Sequence, residues 1–361
     1  MITFKPISFL FVLGLLLGAC TPEKSEVRGP WTTGQASAWQ EKWGWLRGAD
    51  FIPSTAINQL EMWQAGTFDT LTIDRELGWA AELGFNSMRV YLHHAAWKSD
   101  PEGFMNRVDK YLTISDRHGI STLFTLFDDC WNPEFTLGEQ PEPKTGIHNS
   151  GWLRDPGDLL HRDSTLWPVL EAYTKAVMGR FGQDDRIVLW DLYNEPGNSG
   201  YGNRSMPLLR KVFLWAREAA PAQPLSVGYW NADLQDINAF VLKESDVITY
   251  HQYGPPEDHQ RLIDTLRTLG RPLLCTEYMA RTRGSLFRDI LPMLKRQGIA
   301  AYNWGFVAGK TNTIYAWDTP MPDGQEPPVW FHDILRRDGT PYDSSEVALI
   351  RKVTSDSVSR D

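Results

Sequence analysis

Residues 187–196 read Ile-Val-Leu-Trp-Asp-Leu-Tyr-Asn-Glu-Pro. In an extended chain, positions 187–192 are apolar on both faces apart from Asp191, and Pro196 stops the run. A short strand that is apolar on both faces belongs to a parallel sheet covered by helices, because one face of an antiparallel surface sheet would alternate with polar residues. Helical periodicity flanks this strand, over 167–181 before it and near 206–219 after it. Working outward, the same alternation gives strands at 44–51, 87–92, 121–127, 224–228, 247–251, 273–277 and 299–304. The remaining helices fall at 73–83, 103–118, 258–269, 286–297 and 329–335. Gly84, Gly119, Gly270 and Gly298 stand between a helix and the next strand, where the left-handed C′ position favours glycine. Eight strands, with helical stretches between most of them, predict an α/β fold, a single (β/α)8 TIM barrel. A doubly wound sheet is the alternative, but it would carry a Gly-rich phosphate loop after its first strand, and Gly48-Ala49-Asp50-Phe51-Ile52-Pro53 is no such loop.

The chain has 361 residues, 42% hydrophobic and 22% charged, so it is neither disordered nor multi-spanning. Its formal net charge of −9 and the lack of any Lys/Arg-rich run exclude nucleic acid as the expected partner. Sixteen Trp suggest aromatic walls around a site, although most should serve the core. At the front, Lys5 precedes an apolar stretch over 7–17, too short to span a bilayer as a helix, and Leu17-Gly18-Ala19-Cys20 follows. This resembles a bacterial lipoprotein signal peptide, which implies cleavage before Cys20 and lipid attachment to its thiol. An ordinary signal peptide cut after Ala19 is the alternative. Either exports the chain. Thr21, where an inner-membrane lipoprotein often has Asp, favours the outer membrane by that resemblance. The expected organisation is a signal peptide at 1–19, a lipid-anchored spacer and lead-in at 20–43, a catalytic barrel at 44–343 and a polar, frayed tail at 344–361.

With Cys20 taken, only Cys130 and Cys275 remain, which excludes a disulfide framework. There is no Cys-x-x-Cys pair. Among eight His only His93 and His94 adjoin, and they would point to opposite faces of a strand, so no metal is expected. A metal-dependent barrel hydrolase would need His-x-His at strand one, which is missing.

Barrel chemistry sits where strands end and βα loops begin. Two strand ends carry Glu: Glu195 after strand four and Glu277 at the end of strand seven. These strands face each other across the mouth, so the two carboxyls can converge on one bound group. Cleavage of a glycosidic bond needs such a pair, one protonated to assist the leaving oxygen and one ionised at the anomeric carbon. With these residues in place, the chain resembles glycoside hydrolase clan A, closest to the family-five cellulases and mannanases. The resemblance implies that Glu195 is the acid/base, Glu277 the nucleophile, and Asn194 a ligand of the sugar 2-hydroxyl. It also implies that Arg89 braces the nucleophile, that His251 and Tyr253 form the His-x-Tyr after strand six, and that Trp304 floors the subsite of the sugar being cut. No cofactor is implied.

One departure stands out: family-five enzymes usually place a His at the end of strand three, where this chain has Phe127-Asp128-Asp129-Cys130-Trp131. Asp128 or Asp129 could bind a sugar hydroxyl there, or brace the long loop that follows. That loop runs to Trp167, holds four Pro, and offers Trp131, His148, Asn149 and Trp152 as a subsite wall. Trp230 after strand five, and Lys310, Asn312 and Trp317 after strand eight, are further candidates for the cleft. The function expected is that of a retaining β-glycoside hydrolase acting on a β-linked polysaccharide or oligosaccharide. A transglycosylase on the same scaffold, and a lipid-anchored carbohydrate-binding protein without turnover, are the alternatives.

Overall fold

The structure is a computed structural model that describes residues 1–3 and 27–355; Cys20 and the signal segment, from residue 4 on, lie outside the described residues. The eight apolar runs form eight strands: β1 Arg47–Asp50, β2 Ser87–Tyr91, β3 Ser121–Asp128, β4 Ile187–Asn194, β5 Leu225–Ser226, β6 Ile248–His251, β7 Leu273–Tyr278 and β8 Ala300–Asn303. They join in one sheet in the order β5-β4-β3-β2-β1-β8-β7-β6, and every ladder is parallel. The last gap is bridged by Tyr229, paired in parallel with Tyr250; its N–H donates to the Thr249 carbonyl at 2.9 Å and its carbonyl accepts from His251 N–H at 3.0 Å. The ring is a (β/α)8 barrel. β5 is only two residues long, and Pro224 before it has no N–H to extend the ladder.

The barrel interior is filled in layers. At the end where the strands begin, Leu46, Leu123, Leu189, Val247 and Leu274 pack with Tyr302, and Ala36 and Trp39 plug them from below. Those two residues belong to the helix Thr33–Trp43, so the rear half of the segment expected as a spacer and lead-in is a helix packed on the barrel. Thr32 and Gln35 form a capping box that starts this helix, and Trp39 Nε1 donates to the Val188 carbonyl at 3.0 Å. Higher in the barrel the filling turns charged, with Arg89 fully buried between Asp50 and Asp191.

The far end of the chain also departs from expectation. Residues 344–355 form the helix Ser344–Ser355 rather than a frayed tail, burying Val347, Ile350, Val353 and Thr354. Thr354 Oγ1 donates to the Leu83 carbonyl at 2.7 Å, which ties this helix to the turn before β2. The expected helix at 329–335 is an irregular segment instead. Its N–H groups go to other segments: Phe331 to the Ile314 carbonyl, His332 to Thr313 and Leu335 to Phe306. A helix not anticipated, Gln235–Glu244, follows β5. Among the described residues, no helix is long and apolar enough to cross a membrane.

Candidate active site

Arg89 on β2 organises the mouth of the barrel. Its Nε and Nη2 donate to Asp191 Oδ2 at 3.0 and 2.6 Å, and Nη1 donates to Asp50 Oδ1 at 2.8 Å and Glu277 Oε1 at 2.7 Å. Nη2 also donates to Asn194 Oδ1 at 2.8 Å. Guanidinium has no acceptor, so this bond fixes the Asn194 amide with Nδ2 towards the cleft, where it donates to Asp128 Oδ1 at 2.9 Å. Tyr91, two residues after Arg89 and on the same face of β2, accepts from Nη1 at 2.6 Å and donates to Glu277 Oε1 at 3.0 Å. Tyr253 donates to the other oxygen, Oε2, at 2.7 Å. Burial alone would raise the Glu277 carboxyl. The charges of His251 and Arg89, with hydrogen bonds from Tyr253 and Arg89, outweigh it and hold Glu277 below the ordinary glutamate value. Asp50 moves the other way: burial pushes it well up, and the nearby Glu277 and Asp191 charges oppose the relief from Arg89. One guanidinium thus keeps Glu277 ionised at the expense of its neighbour.

Register shifts in the β6–β7 and β7–β8 ladders re-aim the end of β7 at Glu277. Glu195 follows directly on β4 with a left-handed φ of 44°, a strained conformation of the kind that clusters at functional sites. Its Oε1 lies 2.7 Å from His251 Nδ1, and its Oε2 meets Asn198 Nδ2 and, at 3.3 Å, Cys130 Sγ. His251 Nδ1 is also 3.5 Å from Glu277 Oε2. One oxygen of Glu195, one of Glu277 and a ring nitrogen of His251 all lie within 4.8 Å of one another. These three could offer ligand atoms to a cation, as could His93, His94 and Asp155, which also converge. In the second set His94 Nδ1 bonds Asp155, while His93 Nδ1 accepts from the Ala95 N–H. The two His are stacked at the start of a helix, not splayed across a strand.

The carboxyl pair opens into a cleft of about 980 Å³. Trp304 and Trp152 stand at one end with ring centroids 5.3 Å apart, and Tyr91 packs edge-on to both. Trp152 Nε1 donates to Asp128 Oδ2 at 2.8 Å. Asp128 is buried, which pushes its carboxyl up to about 7 against hydrogen bonds from Trp152, Asn194 and Cys130. Trp131, Trp230 and Trp317 also line the cleft. Five of the 16 Trp are therefore at the site, and the other 11 serve elsewhere.

The family model "Cellulase (glycosyl hydrolase family 5)" matches residues 57–313. The chain belongs to glycosyl hydrolase family 5. This family 5 glycoside hydrolase is similar in fold to a GH5_18 enzyme from Streptomyces cattleya crystallised with GlcNAc, with TM-score 0.60 and 12% identity over 87% of this chain and 81% of that one. A β-mannanase from the blue mussel Mytilus edulis superposes with TM-score 0.56 and 15% identity, covering 87% and 92%. The exo-β-1,4-mannosidase Op5Man5 from Opitutaceae bacterium strain TAV5 gives TM-score 0.58 and 16% identity, over 86% of this chain and 59% of its own. No curated protein sequence matches the family 5 enzyme.

Not every residue singled out in the sequence reaches the cleft of this family 5 enzyme. Glu195, Glu277, Asn194, Arg89, His251, Tyr253, Trp304, Trp152 and Asp128 meet at the mouth, with Trp131 and Trp230 on its rim. Asp129 does not: fully buried, it accepts from Tyr193 Oη and the Gly197 N–H, both at 2.7 Å, and braces the turn that carries Glu195. Consecutive residues leaving a strand point opposite ways, so only one of Asp128 and Asp129 could face the sugar. Lys310 pairs with Glu61, and Asn312 holds loop carbonyls. Tyr91, Cys130 and Asn198, which touch Glu277 or Glu195, are among the site residues that sequence reasoning missed. Tyr91 was within reach, because it is two residues from Arg89 on a strand.

Proposed function

We propose that this family 5 enzyme is a retaining β-glycosidase in which Glu277 is the nucleophile and Glu195 the acid/base. The observation that carries the reading is the spacing of one oxygen of each carboxyl within 4.8 Å, together with Arg89, Tyr91 and Tyr253, which donate to Glu277 and not to Glu195. Retaining enzymes hold the pair about 5 to 5.5 Å apart, and inverting ones leave about 6.5 to 9.5 Å for a water. In the first step Glu277 attacks the anomeric carbon as the bond to the leaving oxygen breaks, and Glu195 gives that oxygen its proton. In the second, Glu195 takes a proton from water, the water oxygen bonds the anomeric carbon, and the ester to Glu277 breaks. Arg89 and Tyr253 hold the carboxylate in line, and Asn194 Nδ2 presents a donor to the sugar ring. The substrate is a β-linked oligosaccharide or polysaccharide. β-Mannosides come first, since the solved relatives include a β-mannanase and an exo-β-1,4-mannosidase. Proton NMR of the first product from an aryl β-glycoside tests this: the β-anomer is expected to appear first, and α-anomer first would overturn it. The exported, lipid-anchored form is likewise a proposal, resting on Leu17-Gly18-Ala19-Cys20. Cys20→Ser is expected to move the protein from the detergent phase to the aqueous phase of a Triton X-114 partition.

A further inference from the structure

The loops after β1, β3 and β8 are fastened to one another over one side of the mouth. From the loop after β3, the Asn149 N–H donates to the Thr311 carbonyl and His148 Nδ1 to the Tyr315 carbonyl, both at 2.8 Å. Asn312 returns two bonds, to the Lys144 and Ile147 carbonyls at 2.9 and 3.2 Å. The same loop is tied to the segment after β1, where Asn58 Nδ2 donates to the Gly151 carbonyl at 3.0 Å and Gln59 Nε2 to Leu153 at 2.9 Å. The third side closes through Lys310, whose N–H donates to the Ser54 carbonyl at 3.1 Å and whose ammonium meets Glu61 at 2.6 Å. Contact is tight at the seams. A Cβ on Gly151 would lie 2.3 Å from Ile57, and one on Gly309 would lie 2.6 Å from the Ser54 backbone.

This wall stands behind Trp152 and Trp304. The space beyond those two rings is about 20 Å³, room for a single water and far short of a sugar ring. On the other side of the carboxyl pair the cleft continues, lined by Ser199, Ala232, Asp258, Arg261 and Thr265 from the segments after β4, β5 and β6. The two ends have different chemical roles. Glu277, with Tyr91 against the tryptophan pair, stands at the walled end, so the ring whose anomeric carbon is attacked lies there. Glu195, with Asn198 beside it, stands towards the open end, where the leaving group departs.

We infer that the walled end holds one sugar ring, so that this enzyme removes single residues from the non-reducing end of its substrate. A second ring on the non-reducing side of the one being cut would have to pass through three interlocked loops. The inference rests on the retaining reading above, and one experiment separates the two. The protein is incubated with dinitrophenyl 2-deoxy-2-fluoro-β-glycosides of gluco, manno, galacto and xylo configuration. Each is also offered in a form extended by one β-linked sugar at its non-reducing end, and covalent labelling is followed by intact mass. The expected result is that a monosaccharide probe labels Glu277 at least a hundredfold faster than its extended form. A smaller preference, or labelling by the extended form alone, overturns the single-ring inference and leaves the retaining mechanism standing. No label from any probe on folded protein overturns the mechanism, and the inference with it.

Discussion

Glu277 is held by three donors that its partner carboxyl lacks, and the difference has consequences for activity. Glu277→Ala is expected to lose about three or more orders of magnitude in kcat, on the order of 4 kcal/mol of barrier. Azide should restore turnover of an activated glycoside and give the α-glycosyl azide. Glu195→Ala should instead give the β-azide, and the same product from both variants would refute the division of roles. Because the folded environment lowers the Glu277 pKa, the carboxylate stays ionised to a pH below the ordinary glutamate value, and activity on the acid side persists correspondingly far. Tyr253→Phe removes the donor to Oε2, raises that pKa, and should move the acid limb of kcat/KM up by about one pH unit. An unmoved limb would show that the limb belongs to another group. At this scale the sequence is informative where chemistry coincides with a strand end, as at Glu195 and Glu277. It is uninformative about Cys130 and Asn198, which reach Glu195 only because the loops after β3 and β4 turn back over it.

At the scale of elements, two of the helices that pattern reading missed hold the barrel at its two chain ends. Trp39→Ala in the helix Thr33–Trp43 removes the plug from the strand-start end and should cost about 3 to 5 kcal/mol, read by urea unfolding, with kcat within about twofold. Ile350→Ala in the C-terminal helix, where the side chain is fully buried, should cost about 2 to 5 kcal/mol. A loss below about 1 kcal/mol at either position would mean the helix is only laid on the surface. The signals for both were present. Thr32 and Gln35 have the spacing of a capping box, and Val347, Ile350, Val353 and Thr354 follow helical spacing inside a polar run. Residues 329–335 mislead in the opposite sense, since an apolar run there is committed to two other segments, around Phe306 and around Thr313 and Ile314, through its N–H groups. Local pattern cannot show such long-range partners.

For the whole molecule, eightfold repetition was readable because the units repeat an apolar strand, four of them preceded by a glycine stop, and eight weak signals in order exclude other folds. Closure was not readable: the ring is completed by one bridged residue, Tyr229, that no periodicity marks. Both terminal helices pack on the same barrel, so heating should give one cooperative transition, and removal of residues 344–361 should lower its midpoint as a whole rather than create a second. The plug formed by Ala36 and Trp39 has a further consequence. It fixes the front of the chain to the floor of the barrel, while the sugar enters through the roof, and eight-residue strands such as β3 and β4 put roughly 25 Å between the two. Whatever grips the front of this protein, whether a bilayer, a resin bead or a fused partner, therefore holds it by the base and leaves the entrance facing outward.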